Sequence, residues 1–358
     1  RVPLQLVTPL RTSQGDHASR TATLVEITAD DGTVGWGENV ATEGSFYTGE
    51  TAESSYRHMR DVIIPGLVDD EFNDDFDDDE EVSMPMADHA VSSALADIEM
   101  RQRGLSLAAA LGSGDVRSVR VGAVVGMHDT VDGVVAEAMQ RVADGYTRIK
   151  VKIAPGHDAD VVAAVRAALP ASVDLHVDAN GAYTVSDIAH LSFLDTHRVG
   201  LVEQPFAPHD LAGHARLGKA IATPVCLDES VGGIVDAMRA ISAGSCSVIN
   251  VKPSRVGGFH QATAILRLCA ENGIDAWIGG MLESGIGRAG CLALATNPAC
   301  TMTPDLSASS RYFVRDVTDP FELNDGCLAV PAGPGLGTEP LPWVFADPGT
   351  AIETVFER

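Results

Sequence analysis

Five short apolar runs, each closed by a charged residue and each about one βα unit after the last, constrain this chain more than any other feature. They read Arg148-Ile149-Lys150-Val151-Lys152, Leu175-His176-Val177-Asp178, Leu201-Val202-Glu203, Cys226-Leu227-Asp228 and Val248-Ile249-Asn250-Val251-Lys252. From Lys152 through Asp178, Glu203 and Asp228 to Lys252 the steps are 26, 25, 25 and 24 residues. A strand, a loop and a helix repeated have this length. Evenly spaced parallel strands predict a barrel, and in such a barrel the C-terminal strand ends converge on one face where active sites lie.

A single strand-end Asp is more often a helix cap than a ligand. Five charged strand ends in phase ask for more. The carboxylates of Asp178, Glu203 and Asp228, gathered without a cation, would repel one another, so the arrangement calls for a divalent metal. All-oxygen ligation favours Mg²⁺, with Mn²⁺ as the alternative, over zinc.

The chain has 358 residues, enough for a barrel of about 250 residues and a second region of about 100. Counting back from Lys152 at the same period places a first barrel strand near Val119 to Val125. Asp275 to Gly280 and Cys300 to Leu306 extend the ladder to seven and eight. The expected division is an α+β domain over 1–114, the barrel over 115–318 and a Pro/Gly-rich C-terminal segment over 319–358 that packs back on the first domain.

In the first region, Ala22 to Thr28 and Val34 to Glu38 alternate as two antiparallel strands joined by an Asp-Gly turn. The run from His89 to Ile98 has helical periodicity with small residues that permit close packing. Residues 11–20 and 43–51 read as polar loops. Ten of the thirteen residues from Asp69 to Glu81 are acidic, which reads as a solvated loop. Between the barrel strands, Asp158 to Leu169, Val185 to Asp195, Ile234 to Ile241 and His260 to Asn272 carry helical apolar spacing.

The formal net charge of −25, with no Lys/Arg-rich run, argues against nucleic acid or an anionic membrane as a partner and for a soluble protein, without identifying the substrate; the expected partner is a small-molecule carboxylate. Six cysteines lie in the C-terminal half without a C-x-x-C spacing, so buried free thiols are expected. With no leading signal peptide and no apolar stretch of transmembrane length, a cytoplasmic home is expected. A homo-oligomer is expected as well.

Lys150 and Lys152, two apart on a strand, share a face. Two ammonium groups this close, with a bound Mg²⁺ nearby, would each disfavour protonation of the other, lowering a lysine pKa from about 10.4 toward the working pH and making a usable base. Lys252 closes the sixth barrel strand, across the barrel from the second, and Arg255 would lower its pKa by the same like-charge effect. Two bases facing one carbon can take a proton from one face and return one to the other. Removal of a proton beside a carboxylate leaves an enediolate, which a metal and fixed cations stabilise. Asn180 and Glu229 suit the role of orienting a metal ligand or Lys150. The glycine-rich run from Gly279 to Gly287, containing Met281, Leu282 and Glu283, lacks the order of a phosphate loop and would let substrate approach the seventh strand.

At these residues the chain resembles the enolase superfamily, within the muconate-cycloisomerase subgroup that carries K-x-K on strand two and a lysine on strand six. Gly35-Trp36-Gly37-Glu38, Asp178-Ala179-Asn180, Val202-Glu203-Gln204-Pro205, Leu227-Asp228-Glu229-Ser230 and Asn250-Val251-Lys252-Pro253 carry the resemblance. The stretches Gly279 to Ala289 and Asp305 to Tyr312, the latter with Ser307, are similar to the N-succinylamino acid racemase and o-succinylbenzoate synthase family. Departures are Val124, where relatives often carry a hydroxyl, and Thr303-Pro304-Asp305 in place of Pro-Gly-Asp.

The resemblance implies a modified TIM (β/α)-barrel with an α+β N-terminal capping domain whose loops 11–20 and 43–51 close over substrate. It implies Lys152 and Lys252 as catalytic with Lys150, and Mg²⁺ on Asp178, Glu203 and Asp228. Asn180, Glu229 and Arg255 would stand behind these, with substrate contacts from Met281, Leu282, Glu283 and Ser307. The reaction expected is racemisation of N-succinylamino acids. Alternatives are o-succinylbenzoate synthesis, more distantly dipeptide epimerisation or muconate cycloisomerisation, and outside enzymology a barrel that binds an acid through its metal.

Overall fold

The computed structural model describes residues 1–12, 15–44, 47–68 and 83–356. The acidic run 69–81, and parts of both expected loops, lie outside these residues. The chain opens with an antiparallel sheet of β1 (Val2–Thr12), β2 (Gly15–Thr28) and β3 (Val34–Asn39) in that order. The β2–β3 turn is the expected one, with Gly32 at φ +83 and its N–H donating to Ala29 O at 2.8 Å. The helix Pro85–Gln102 packs against β3. A Cβ on Gly35 would stand 2.3 Å from Ala94 O, and one on Gly37 would stand 1.9 Å from Ala90 O. Glycine on the strand and alanine on the helix are therefore what allow sheet and helix backbones to touch.

After the short strand β4 (Ser118–Arg120) come seven parallel strands: β5 (Ala123–Val125), β6 (Arg148–Lys152), β7 (Asp174–Asp178), β8 (Leu201–Glu203), β9 (Val225–Leu227), β10 (Val248–Val251) and β11 (Asp275–Ile278). They form one sheet in sequence order, with helices such as Ala159–Ala168, Ile234–Ser242 and Phe259–Glu271 between them. Ile149, Val151, Leu175, Val177, Leu201, Val202, Leu227, Ile249 and Val251 are buried. Near-continuous burial of Val, Ile and Leu is the signature of parallel strands covered on both faces. The molecule is a modified (β/α)-barrel with an α+β capping unit.

Four expectations are corrected. The described part of 11–20 is not a loop: β1 runs to Thr12 and β2 starts at Gly15. The stretch 119–125 is not one strand: β4 pairs antiparallel with β12 (Cys327–Ala329), and only β5 joins the barrel. Between them Gly122 lies against the Arg148 guanidinium, where a Cβ would come within 2.3 Å, and its N–H donates to Pro304 O. The stretch 300–306 is not an eighth strand. It closes the barrel irregularly, with Thr301 N donating to Ala276 O, Asp305 N to Ile278 O and Pro304 O accepting from Gly122. Pro304 has no N–H to continue a ladder. The stretch 185–195 is not one helix but the short turns Val185–Asp187, Ile188–Leu191 and Phe193–Thr196. The Ser192 hydroxyl donates to Ala189 O at the break, a side-chain bond that competes with the helix ladder.

The C-terminal stretch runs back along the first sheet and its helix. Leu336 N donates to Asp97, Ala351 N donates to Arg1 O, and the Phe345 and Trp36 rings lie 6.0 Å apart. All six cysteines are free. No helix of the described residues is long and apolar enough to cross a membrane.

Candidate active site

Parallel register puts Lys152, Asp178 and Glu203 opposite one another across β6, β7 and β8. Asp228 follows the end of β9, and Lys252 follows β10. The strand-end groups meet as paired charges. Lys152 Nζ donates to Asp178 Oδ2 at 2.7 Å, Lys150 Nζ to Glu203 Oε2 at 2.6 Å and Lys252 Nζ to Asp228 Oδ2 at 2.8 Å. Among the described residues no three metal-ligating side chains surround one point. Each of the three carboxylates turns toward a lysine instead.

Two residues in the left-handed backbone region shape the strand ends. Asn180, at φ +42, sends its N–H to Asp178 Oδ1, accepts from Lys152 Nζ at 2.6 Å and donates to Glu229 Oε1 at 2.8 Å. It thus meets Lys152 rather than Lys150, and Glu229 stands behind it. Gln204, at φ +39 and fully buried, accepts from the N–H groups of Asp228 and Ser230 and donates to Phe206 O and Ser230 Oγ. Non-glycine residues in this region cost on the order of 1–3 kcal/mol each and persist where surrounding bonds hold them. Here those bonds fix the loop that carries Asp228 and Glu229.

Among the protein groups alone, the balance at Lys150 and Lys252 runs opposite to the sequence expectation, which counted a bound Mg²⁺. Burial alone would lower Lys150, but the carboxylates of Asp305, Glu203 and Asp178 outweigh it and hold the ammonium well above its ordinary value. Burial also lowers Lys252, and Asp228 and Tyr47 overcome both that and the opposing charge of Arg255. Facing carboxylates are closer partners than the neighbouring cations, so like-charge repulsion loses. Lys252 and Arg255 in turn hold Asp228 below the ordinary carboxylate range despite its burial. Glu203 goes the other way, pushed up to about 8 by burial and by Asp178, against the pull of Lys150. Glu229 is raised by burial, Asp228 and Asp178.

Several groups at the site were not singled out from the sequence. Asp305 pairs with Lys150 and Arg148. Asn250 donates to Glu203 Oε1 at 2.7 Å. Arg148 and Asn250 each lie two residues before a named lysine, and the period-2 rule that linked Lys150 to Lys152 would have found both. Nothing local marks Tyr47, whose hydroxyl accepts from Lys252 Nζ at 2.8 Å and Arg255 Nη1 at 2.9 Å and donates to Asp228 at 3.2 Å. Burial pushes that hydroxyl up to about 12. Arg255 is buried, with Nε on Val231 O, Nη2 on Asn250 O and Nη1 also against Asp228.

The glycine-rich loop is tied to the capping side. Glu38 accepts from Ser284 N, Ser284 Oγ and Gly287 N at the start of the helix Gly285–Ala295, a carboxylate at a helix N-terminus. Arg20 donates to the carbonyls of Met281 and Leu282. Glu283 is buried, ion-paired with Arg288 at 2.9 Å, and accepts from Met281 N. The Ser307 hydroxyl donates to Gly122 O. Met281 and Leu282 are half-buried, and Met281, like Tyr47, packs against the cluster of Val40, Ala41 and Met86.

Residues 1–112 match the mandelate racemase / muconate lactonizing enzyme N-terminal domain, and 133–343 match the enolase C-terminal domain-like family. The chain is 40% identical to an o-succinylbenzoate synthase of Geobacillus kaustophilus over 93% of this chain and 90% of that one. It is 40% identical to an N-succinylamino acid racemase of Amycolatopsis sp over 98% and 96%. A crystal structure of an enolase-superfamily member from Listeria innocua superposes with a TM-score of 0.86 at 35% identity, covering 95% of this chain and 92% of that one. Members of this superfamily depend on a divalent metal. The chain is an enzyme of the enolase superfamily and belongs to its o-succinylbenzoate synthase and N-succinylamino acid racemase family.

Proposed function

We propose that this chain is a Mg²⁺-dependent racemase of N-acylamino acids, with N-succinyl derivatives as the first substrates to test. The observation that carries the reading is the placement of two lysines. Lys152 ends β6, Lys252 follows β10, three strands lie between them, and each is bonded to a different carboxylate of the set. The relatives named N-succinylamino acid racemase support the substrate class.

The donor set suits a hard dication. Asp178, Glu203 and Asp228 offer only oxygens, and Glu203, raised to about 8, marks a place short of positive charge. Asp178, Glu203 and Asp228 would hold the ion, with Glu229 and Asn180 orienting the group. When bound, the ion supplies counter-charge to the substrate carboxylate as charge develops beside it. Lys152 takes or returns the α-proton at one face of the carbon, and Lys252 does so at the other. Lys150, buried and charged, adds fixed positive charge. The first 114 residues would form the unit that closes over substrate, with Met281 and Leu282 among its contacts.

A second reading has its own support. Asp228 and Tyr47 hold Lys252 charged, which suits a cation that only stabilises the anionic intermediate while Lys152 acts as base. That is o-succinylbenzoate synthase chemistry, the activity named for several relatives.

Proton NMR of N-succinyl-L-phenylalanine and its D-enantiomer with the protein and Mg²⁺ in D₂O separates the two. Loss of the α-proton together with optical rotation supports racemisation. Proton loss with rotation retained supports one-base chemistry. No exchange from either enantiomer rejects the racemase.

A further inference from the structure

We infer that Tyr47 is a positioning residue for Lys252, so that one of the two bases is set by the barrel alone and the other by barrel and capping side together. The inference rests on the two-lysine reading above and goes beyond it by making the two faces unequal.

The two ammonium groups are held differently. Lys152 has two partners, Asp178 Oδ2 and Asn180 Oδ1, both from the barrel, and its side chain is 30% exposed. The Lys252 side chain is 9% exposed and bonds Asp228 from the barrel and Tyr47 from the first region of the chain. Lys252 Nζ lies 4.6 Å from the centroid of the Tyr47 ring. Among the described residues, Tyr47 is the one group before the barrel that hydrogen-bonds a lysine of the site.

Tyr47 is itself well placed to fix something. Its ring packs against the buried cluster of Val40, Ala41 and Met86, and its hydroxyl is also pinned by Arg255 and Asp228. A lysine side chain is flexible and loses rotamer freedom when its ammonium is held in one place. Asp228 is already shared between Lys252 and Arg255, and a cation would claim it as well. The Tyr47 hydroxyl is then the neutral contact that keeps the Lys252 ammonium in one place.

Tyr47→Phe keeps the ring and removes the hydroxyl. With the Mg²⁺-loaded enzyme in D₂O, α-proton exchange is followed separately for the two enantiomers of N-succinylphenylalanine. Misplacing a reacting group costs as much as about a hundredfold, so we expect exchange of one enantiomer to fall about tenfold or more and exchange of the other to stay within about twofold. Asn180→Ala, which strips a partner from Lys152, should slow the opposite enantiomer. The metal-free protein supplies an independent reading: acetic anhydride should modify Lys252 several-fold faster in Tyr47→Phe, with Lys152 unchanged, as read by peptide mass spectrometry. Equal slowing of both enantiomers, or of neither, overturns the inference and leaves the racemase standing. Should the wild type exchange only one enantiomer, the two-base reading fails by itself. Unchanged labelling of Lys252 in Tyr47→Phe then overturns the Tyr47 contact too.

Discussion

On the barrel side of the site, each strand-end carboxylate has a counter-charge within the barrel itself: Lys152 on Asp178, Lys150 on Glu203, and Lys252 with Arg255 on Asp228. On the capping side, single groups reach across one at a time. Glu38 meets the start of the helix Gly285–Ala295, Arg20 meets two carbonyls of the glycine-rich loop, and Tyr47 meets Lys252. On the proposed reading, chemistry belongs to the barrel, whose charges are in place by register, and fine adjustment to the capping side.

The largest effect should come from the barrel. Lys152→Ala and Lys252→Ala are each expected to slow racemisation by about 10³-fold, the usual yield of a positioned acid or base, as followed by polarimetry. A Lys252→Ala protein that racemises at the wild-type rate would show that Lys252 is not a base in the reaction.

A middle-sized effect belongs to the seam between the two units. His89, in the helix Pro85–Gln102, is buried edge-on to Phe259 at 5.1 Å, with Ser93 Oγ beside its ring. Burial lowers its pKa from 6.5 to about 4. As pH falls below 6.5 the unfolded chain takes up this proton and the folded one does not, so stability is lost between pH 6.5 and 4 and is intact above. The full loss is about 3 kcal/mol. Urea midpoints at pH 7 and pH 4.5 should converge in a His89→Gln variant relative to wild type, and an identical acid dependence in both proteins would remove His89 from the account.

The smallest effect is expected at Glu38→Gln, which keeps a carbonyl for the helix N-terminus but loses the charge beside Arg20. A cost of about 2 kcal/mol in thermal or urea unfolding is expected, the scale of a hydrogen bond to a charged group. A larger change in kcat than in stability would show that the capping side takes part in chemistry.

The barrel side was largely legible in the sequence, because two periodicities met there. Strand ends recur at the length of a βα unit, and inward residues recur every second position, so Lys150, Lys152, Asp178, Glu203, Asp228 and Lys252 could be placed on one face before any coordinate. The direction of the lysine pKa shifts was not legible. Spacing along a strand shows that Lys150 and Lys152 are neighbours, but not that Asp305 faces Lys150 from a stretch 155 residues away. Tyr47 carries no periodicity, and its partners are fixed only when the first region docks on the barrel. The division of 118–125 between two sheets turned on Gly122, whose missing side chain makes room for Arg148.

The irregular closure between β11 and β5 has a consequence for how such a ring can change. Seven members are bound to alternate, so every residue slipped in or out of them flips its neighbours from inside to outside. The stretch 300–306 is exempt: its bonds to Ala276, Ile278 and Gly122 do not follow a ladder, and the side chain it delivers, Asp305, is not dictated by parity. It works like the clasp of a bracelet, the one link that can be recut without restringing the beads, and the counter-ion of Lys150 hangs from it.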